Sequence, residues 1–151
     1  MKKKYKHHII DVGAYNGIDG IGLAIKNPNA MIYAFEANPN MFKVIQDLKK
    51  KIELRISRKI NNYKCLNLAV SDVEKKTFFY IANNPTVSSL NKFSRKIDQS
   101  WPGYKEKYCH VIKKIKLETI TLKKFLKQKK INFISYLHID TQGNDLKVLK
   151  G

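Results

Sequence analysis

His8-Ile9-Ile10-Asp11-Val12-Gly13-Ala14-Tyr15-Asn16-Gly17-Ile18-Asp19-Gly20 is the stretch on which the fold turns. A short apolar run ends in a carboxylate, and three glycines follow, four and then three positions apart. Ile18, Ile21 and Ile25 then fall on one helical face. The reading is strand, tight glycine turn, helix. Glycine lets the backbone approach a ligand where a side chain would intervene, and the helix start supplies N–H groups with no partner inside the helix. Such turns bind nucleotide-like ligands in many α/β folds. A plain βα turn without a ligand gives the same local pattern.

The spacing selects among ligands. A dinucleotide site prefers G-x-G-x-x-G, with the pyrophosphate at the helix N-terminus. This chain has D-x-G-x-x-x-G-x-x-G, with Asp11 just ahead of the turn. A carboxylate there repels a pyrophosphate and suits a ligand carrying positive charge. S-adenosylmethionine, with an ammonium, a sulfonium and no phosphate, fits better than a dinucleotide.

Composition bounds the rest. A chain of 151 residues with 43% hydrophobic content reads as one domain, residues 1–151, long enough to bury roughly 70% of its unfolded surface. No apolar run approaches the ~20 residues of a membrane span. Met1-Lys2-Lys3-Lys4 imitates the start of a signal peptide, but Asp11 and the glycines interrupt the apolar run behind it. Cys65 and Cys109 sit far apart, and no metal-ligand spacing is present; a reducing, cytoplasmic location is expected. The net charge of +18 comes from 27 Lys and only 3 Arg. Arg is the side chain suited to bidentate phosphate or base recognition, so specific nucleic-acid binding is not expected, although polyanions should attract the chain at low salt.

Along the chain, His7–Val12 is a first strand and Gly17–Lys26 a first helix stopped by Asn27-Pro28. Met31–Glu36 is a nearly continuous apolar run, as in a parallel strand covered on both faces. Asn38 caps a second helix with Pro39 at its first position, and Met41, Val44, Ile45, Leu48 and Ile52 give it an apolar face. Residues 53–62 are ambiguous. Tyr63–Val70 reads as one strand and Thr77–Ile81 as another, in a hairpin. Residues 82–110 form a long loop in which Trp101, Tyr104 and Tyr108 stand out. Val111–Leu117 is a strand, Thr121 caps a short helix, Phe133–Ile139 is a buried strand, and Gly143-Asn144-Asp145 leads into a last helical turn. The alternation predicts an α/β, doubly wound, mainly parallel sheet with right-handed crossovers.

Ligands in such sheets bind beyond the carboxyl ends of the strands. Only twelve residues are Asp or Glu, yet Asp11, Glu36, Asp72 and Asp140 all lie at or within two residues of a strand end. Unpaired buried carboxylates are costly, so a cationic, hydroxyl-rich ligand explains the concentration. Glu36, with two oxygens, is placed to accept both hydroxyls of a ribose. Asp72 could equally cap a turn. His138 points to the same side of its strand as Asp140.

Assembled in order, these residues resemble the FkbM-type family of S-adenosylmethionine-dependent methyltransferases. The likeness rests on Asp11-Val12-Gly13-Ala14 with Gly17, on Tyr33-Ala34-Phe35-Glu36 with Asn38-Pro39, and on Asn67-Leu68-Ala69-Val70-Ser71-Asp72. It continues through Ser88-Ser89-Leu90, Thr119-Ile120-Thr121-Leu122, Ile139-Asp140-Thr141-Gln142-Gly143-Asn144-Asp145 and Val148-Leu149-Lys150-Gly151. The resemblance implies a class I methyltransferase (Rossmann-like) fold and methyl transfer, usually to a hydroxyl oxygen of a small molecule, sugar or lipid. It implies that Asp11 and Gly13 hold the methionine part of the donor, with Asn16 and Gly17 in the same turn. Glu36 would bind the ribose, Ser71 and Asp72 would lie near the adenine, and Asp140 would sit by the transferring methyl group. Tyr15 stands where the family usually has Asn, His138 where Lys is common, and Gln142 and Asp145 where Glu is frequent. Asp140 is the first candidate for a base and His138 the second.

Family members normally continue through more strands, so the sequence resembles the donor-binding half of such a domain. On that reading Phe133–Ile139 is an open sheet edge, and the chain is expected to self-associate or to take a second chain that completes the sheet. A non-catalytic or split donor-binding protein derived from the family is the alternative function. A nucleotide-dependent reductase lacks its glycine spacing here, and Asp140-Thr141-Gln142-Gly143 is not the Asp/Asn-Pro-Pro-Tyr/Phe of amino-group methyltransferases acting on DNA.

Overall fold

The computed structural model describes residues 5–94, 99, 102, 103, 107 and 109–151; Trp101, Tyr104 and Tyr108 lie outside them. A four-stranded parallel sheet has the order β3 (Tyr63–Leu66), β2 (Ala30–Phe35), β1 (His7–Val12), β7 (Tyr136–Ile139). A second sheet has the order β4 (Ala69–Val70), β6 (Val111–Ile120), β5 (Lys76–Ala82), with β5 and β6 antiparallel. The result is a Rossmann-like α/β fold, as its strand–helix alternation predicts. Among the described residues, no helix is long and apolar enough to cross a membrane.

Period-two alternation along the strands sorts side chains to two faces. Ile9, Ile32 and Ala34 pack with Ile21 and Ala24 of helix α1 (Ile18–Lys26) and Ile45 of helix α2 (Pro39–Arg55). Ile10, Val12 and Phe35 face the other way, onto Leu122 and Phe125 of α3 (Leu122–Lys129) and Val148 of α4 (Asp145–Lys150). Helices on both faces fit the apolar Ile9–Val12 end of β1 and the apolar β2; the exception within them is Asp11, which the alternation puts on the α1 face. Asn38 and Thr121 cap α2 and α3 by accepting from the backbone N–H of Asn40 and Lys124. The ambiguous stretch after Ile52 resolves at Glu53. Its carboxylate accepts from the Ile60 N–H at 2.8 Å and pairs with Lys49 and Lys59, so the chain folds back after Arg55.

Two expected strands differ from their sequence reading. Tyr63–Val70 is not one strand, because Asn67 breaks it. The Asn67 side-chain amide donates to Glu36 O at 2.7 Å and to Ala37 O at 3.3 Å, taking the place of the next ladder bonds. The backbone then turns so that Ala69 and Val70 pair with Thr119 and Ile120 in the other sheet. Asn67→Ala should therefore destabilise the fold by about 0.5–1.5 kcal/mol, the net worth of a typical hydrogen bond, read from urea unfolding. The other strand is Tyr136–Ile139 rather than Phe133–Ile139, and it is not fully buried; Phe133 is 69% exposed and Tyr136 53%. Among the described strands β7 pairs only with β1, and Tyr136 and His138 line an open chamber beside it.

Candidate functional site

The turn after β1 is built by the ligand-ready residues themselves. Gly13 N–H and Ala14 N–H both donate to Phe35 O, at 2.9 and 3.0 Å, carrying the β1–β2 pairing past the strand ends. Gly13 then has φ +93°, and a Cβ there would stand 1.9 Å from the Asp140 carbonyl oxygen. Gly17 has φ +74° and lies against Ile45 and the Tyr63 hydroxyl, leaving no room for a side chain. Tyr15, between them, holds φ +51°, a strained setting for a bulky residue. Its N–H donates to Glu36 Oε2 at 2.8 Å. Asn16 accepts from the Ile18 N–H through Oδ1 at 3.0 Å, steadying the start of α1.

Glu36 directly follows β2. Its second oxygen, Oε1, accepts from the Asn38 N–H at 2.7 Å, so one carboxylate joins the glycine turn to the start of α2. Burial pushes its pKa from 4.5 to about 7, and the two backbone bonds only partly offset that. A raised carboxyl pKa means the folded state keeps a proton that the unfolded chain loses. The associated stability is fully present below about 4.5 and disappears as pH rises through about 7, by about 3.5 kcal/mol at roughly 1.4 kcal/mol per pH unit. Urea midpoints of the wild type should fall over that window more steeply than those of Glu36→Gln.

Asp11 is buried on the α1 face, opposite His138 in the β1–β7 register. His138 Nδ1 lies 2.9 Å from Asp11 Oδ1. Burial raises the Asp11 carboxyl above its ordinary range, and the His138 bond pulls it back. Asp140 follows β7 and is exposed; its Oδ1 accepts from Gln142 Nε2 at 2.8 Å. Of the four strand-end acids, Asp11, Glu36 and Asp140 gather at one rim, close enough for Asp11 to act on Glu36 and Asp140 on Asp11. Asp72 stands apart from that group. Ser71 Oγ donates to Asp72 Oδ1 at 3.0 Å and lowers its pKa, and Ser71 is buried against Gly151.

Two spaces meet at Gly13 and Asp140. One is a narrow cleft of about 50 Å³, walled by Phe35, Glu36, Leu68, Val70, Phe79 and Leu90. The other is a chamber of about 350 Å³ between α1 and β7, reached by Asp11, Asn16, Asp19 and His138. The sequence reading missed the residues that hold the rim in shape. Ser89 Oγ donates to Gln142 O at 2.9 Å, and Asn91 Nδ2 to Gly143 O at 2.8 Å, fixing the Asp140 loop. Asn144 donates to Val70 O at 3.0 Å, while its buried Oδ1, in the cleft lining, has no partner. Ser89, Asn67 and Asn144 all lie in the blocks quoted above, but only the fold reveals which distant carbonyl each one meets.

The glycine turn, the carboxylate after β2 and the acidic loop after β7 thus form one continuous rim over a parallel sheet. No curated protein matches the chain. The family described as the methyltransferase FkbM domain matches residues 11–151, a span that opens at Asp11 and takes in Glu36, Ser71, Asp72, His138 and Asp140. This chain belongs to the FkbM methyltransferase family.

Proposed function

We propose that this chain transfers the methyl group of S-adenosylmethionine to a hydroxyl oxygen of a small molecule, sugar or lipid. The observation that carries the reading is Glu36, a buried carboxylate kept at the mouth of an apolar cleft at a cost to stability. Hydroxyl donors from a ribose would favour its ionised form. The other features fit the same ligand. The Gly13 position leaves no room for a Cβ, and the orphaned Asn144 Oδ1 can accept an N–H from a purine amino group. Apolar walls at Phe35, Leu68 and Phe79 suit an aromatic base.

Once bound, the donor supplies an already activated methyl group on a positive sulfur. What remains for the protein is to bind, align and exclude water. Glu36 would hold the ribose, with Ser71 and Asp72 towards the adenine. Gly13, Asn16 and Gly17 would follow the methionine part, with the negative charge of Asp11 beneath it. Asp140 and His138 would face the acceptor. Cys65 is a free thiol, in keeping with a cytoplasmic protein.

Calorimetric titration with S-adenosylhomocysteine at several pH values tests the ribose assignment. If only ionised Glu36 binds, affinity should be about tenfold weaker at pH 6 than at pH 8, with the change centred on about 7. Glu36→Gln should flatten the profile. Equal affinity across that window in the wild type would remove Glu36 from the site.

A further inference from the structure

The antiparallel pair β5–β6 has two unlike faces. Phe79 and Ile81 of β5 are buried, and Phe79 lines the narrow cleft. Their neighbours Phe78 and Tyr80 turn outward. Phe78 stands opposite Lys116 and Tyr80 opposite Lys114, and opposed residues share a face. Lys114 Nζ lies 3.6 Å from the Phe78 ring centre and 6.0 Å from that of Tyr80, and Lys116 Nζ lies 6.0 Å from Phe78. The register slips between Ile81 and Ala82, which makes Ile112 the extra residue of a bulge, 62% exposed. Near that end Tyr80 pairs with Ser89, the residue that holds the Asp140 loop, so the ribbon meets the rim there.

A solvent-facing side of an antiparallel sheet needs only polar residues. This one carries two rings and an isoleucine that belong to neither core cluster, with lysines laid over the rings. Among the described residues of β5 and β6, the single acid on this face is Glu118, 3.8 Å from Lys76. Beyond that pair the face runs into a groove of about 380 Å³, where Lys75 and, from α3, Lys124 add further positive charge and Glu74 pairs with Lys124.

We infer that this outward face of β5–β6 is a docking surface for an anionic lipid bilayer, with Lys114 and Lys116 at the headgroups and Ile112 entering the interface. Charge complementarity selects the occupant. The surface of a bilayer rich in anionic lipid is negative and attracts lysines that lie within a Debye length of it. Lysine stems can lie along the rings while the ammonium heads reach the headgroups. The apolar end selects a bilayer over a nucleic acid. Removing Ile112 from water needs a partner with an apolar layer, and a phosphate backbone has none. The ribbon also lacks Arg, the side chain that forks onto phosphates and bases. The Phe78 ring is capped by the Lys114 ammonium instead of being open to stack on a base. Docking does not depend on what the cleft binds.

The test uses the whole chain and sedimentation with vesicles of phosphatidylcholine alone or with about one-third phosphatidylserine. The anionic vesicles should bind the chain and the neutral ones should not, and binding should weaken between about 0.05 M and 0.5 M salt. Net charge alone would give some binding, so position is what must be read. Lys114→Ala combined with Lys116→Ala should weaken vesicle binding by roughly 25-fold, about fivefold for each lysine at the surface. Lys50→Ala combined with Lys51→Ala removes the same charge from exposed positions on α2 and should change binding by less than about threefold. Ile112→Ser should weaken binding to anionic vesicles several-fold and leave binding to a single-stranded oligonucleotide unchanged. A measurement on the unaltered chain needs no variant to fold. In anionic bicelles carrying a nitroxide headgroup, the Ile112 methyl signals should broaden before those of Val44 and Leu54, which are 42% and 80% exposed on α2. Equal losses in the two double variants, equal binding to neutral vesicles, no effect of Ile112→Ser, or earlier broadening at Leu54 would each overturn the inference. Tighter binding of the oligonucleotide than of the vesicles, lost in the Lys114 and Lys116 double variant, would assign the face to nucleic acid instead.

Discussion

Gly13→Ala should abolish S-adenosylhomocysteine binding and destabilise the fold by about 2–5 kcal/mol. Two costs combine. The left-handed backbone at φ +93° is unfavourable for any residue with a Cβ, at about 1–2 kcal/mol. The new methyl would also stand 1.9 Å from the Asp140 carbonyl oxygen. That oxygen is backbone and cannot swing aside, so β7 or the turn must move, and overpacking of this kind costs roughly 1–3 kcal/mol. The sum is a large share of the ~5–15 kcal/mol that holds a domain together. Gly22→Ala is the matched control. Gly22 lies in α1 with no atom within 4 Å of an added Cβ, so alanine there should stabilise by about 0.5–1 kcal/mol through helix propensity alone. Urea unfolding of both variants, with calorimetry on the folded fraction, separates steric conflict at the rim from a general effect of removing glycine.

Glu36→Ala should weaken S-adenosylhomocysteine binding by about 1.5–3 kcal/mol, the usual worth of hydrogen bonds to a charged group. On the proposed function the direct loss would be the acceptor for the ribose hydroxyls. An indirect loss adds to it, because the Tyr15 and Asn38 N–H groups lose the oxygens they share at 2.8 and 2.7 Å. Tyr15 is held in a strained conformation by that bond, so its release should loosen the turn that follows Gly13. Glu36→Gln separates the two effects. It keeps one carbonyl oxygen for a backbone N–H but brings an NH₂ group towards the other, and it cannot ionise. Undiminished affinity in Glu36→Ala would exclude the ribose role.

The sheet was legible where one residue type dictates one geometry. Asp11 in an otherwise apolar strand, followed by glycines, required a rim position. Asn38-Pro39 required a helix start, and both the cap and the proline are where the pattern puts them. The strand Tyr63–Val70 misled because Asn67 and Leu68 sit inside an apolar run. What ends that strand is a side chain reaching carbonyls some 30 residues away, at Glu36 and Ala37, a contact that no local pattern encodes. Phe133–Ile139 misled for the opposite reason. Its apolar content is real, but burial depends on which neighbours cover it, and Tyr136 and His138 look into the chamber instead. The same limit applied to the site. The acids were visible because carboxylates at strand ends are unusual, while Ser89, Asn91 and Asn144 look like ordinary loop polarity until the Asp140 loop closes over them.

Charge provides a further check on the reading. A chain of net charge +18 would normally be assigned to an anionic partner. At the rim the balance reverses, with Asp11, Asp19, Glu36 and Asp140 on the two spaces that meet at Gly13. The surrounding lysines can favour solubility and weak attraction to polyanions, while the site itself presents negative charge to whatever enters.

On the proposed function this rim binds a sulfonium-bearing nucleoside and not a dinucleotide. Calorimetric titration of the purified chain with S-adenosylhomocysteine, and separately with NAD, tests it most directly. Saturable one-to-one binding of S-adenosylhomocysteine, lost in Gly13→Ala, and no binding of NAD are expected. Binding of NAD in preference to S-adenosylhomocysteine, or no binding of S-adenosylhomocysteine to a protein that unfolds cooperatively, would contradict it.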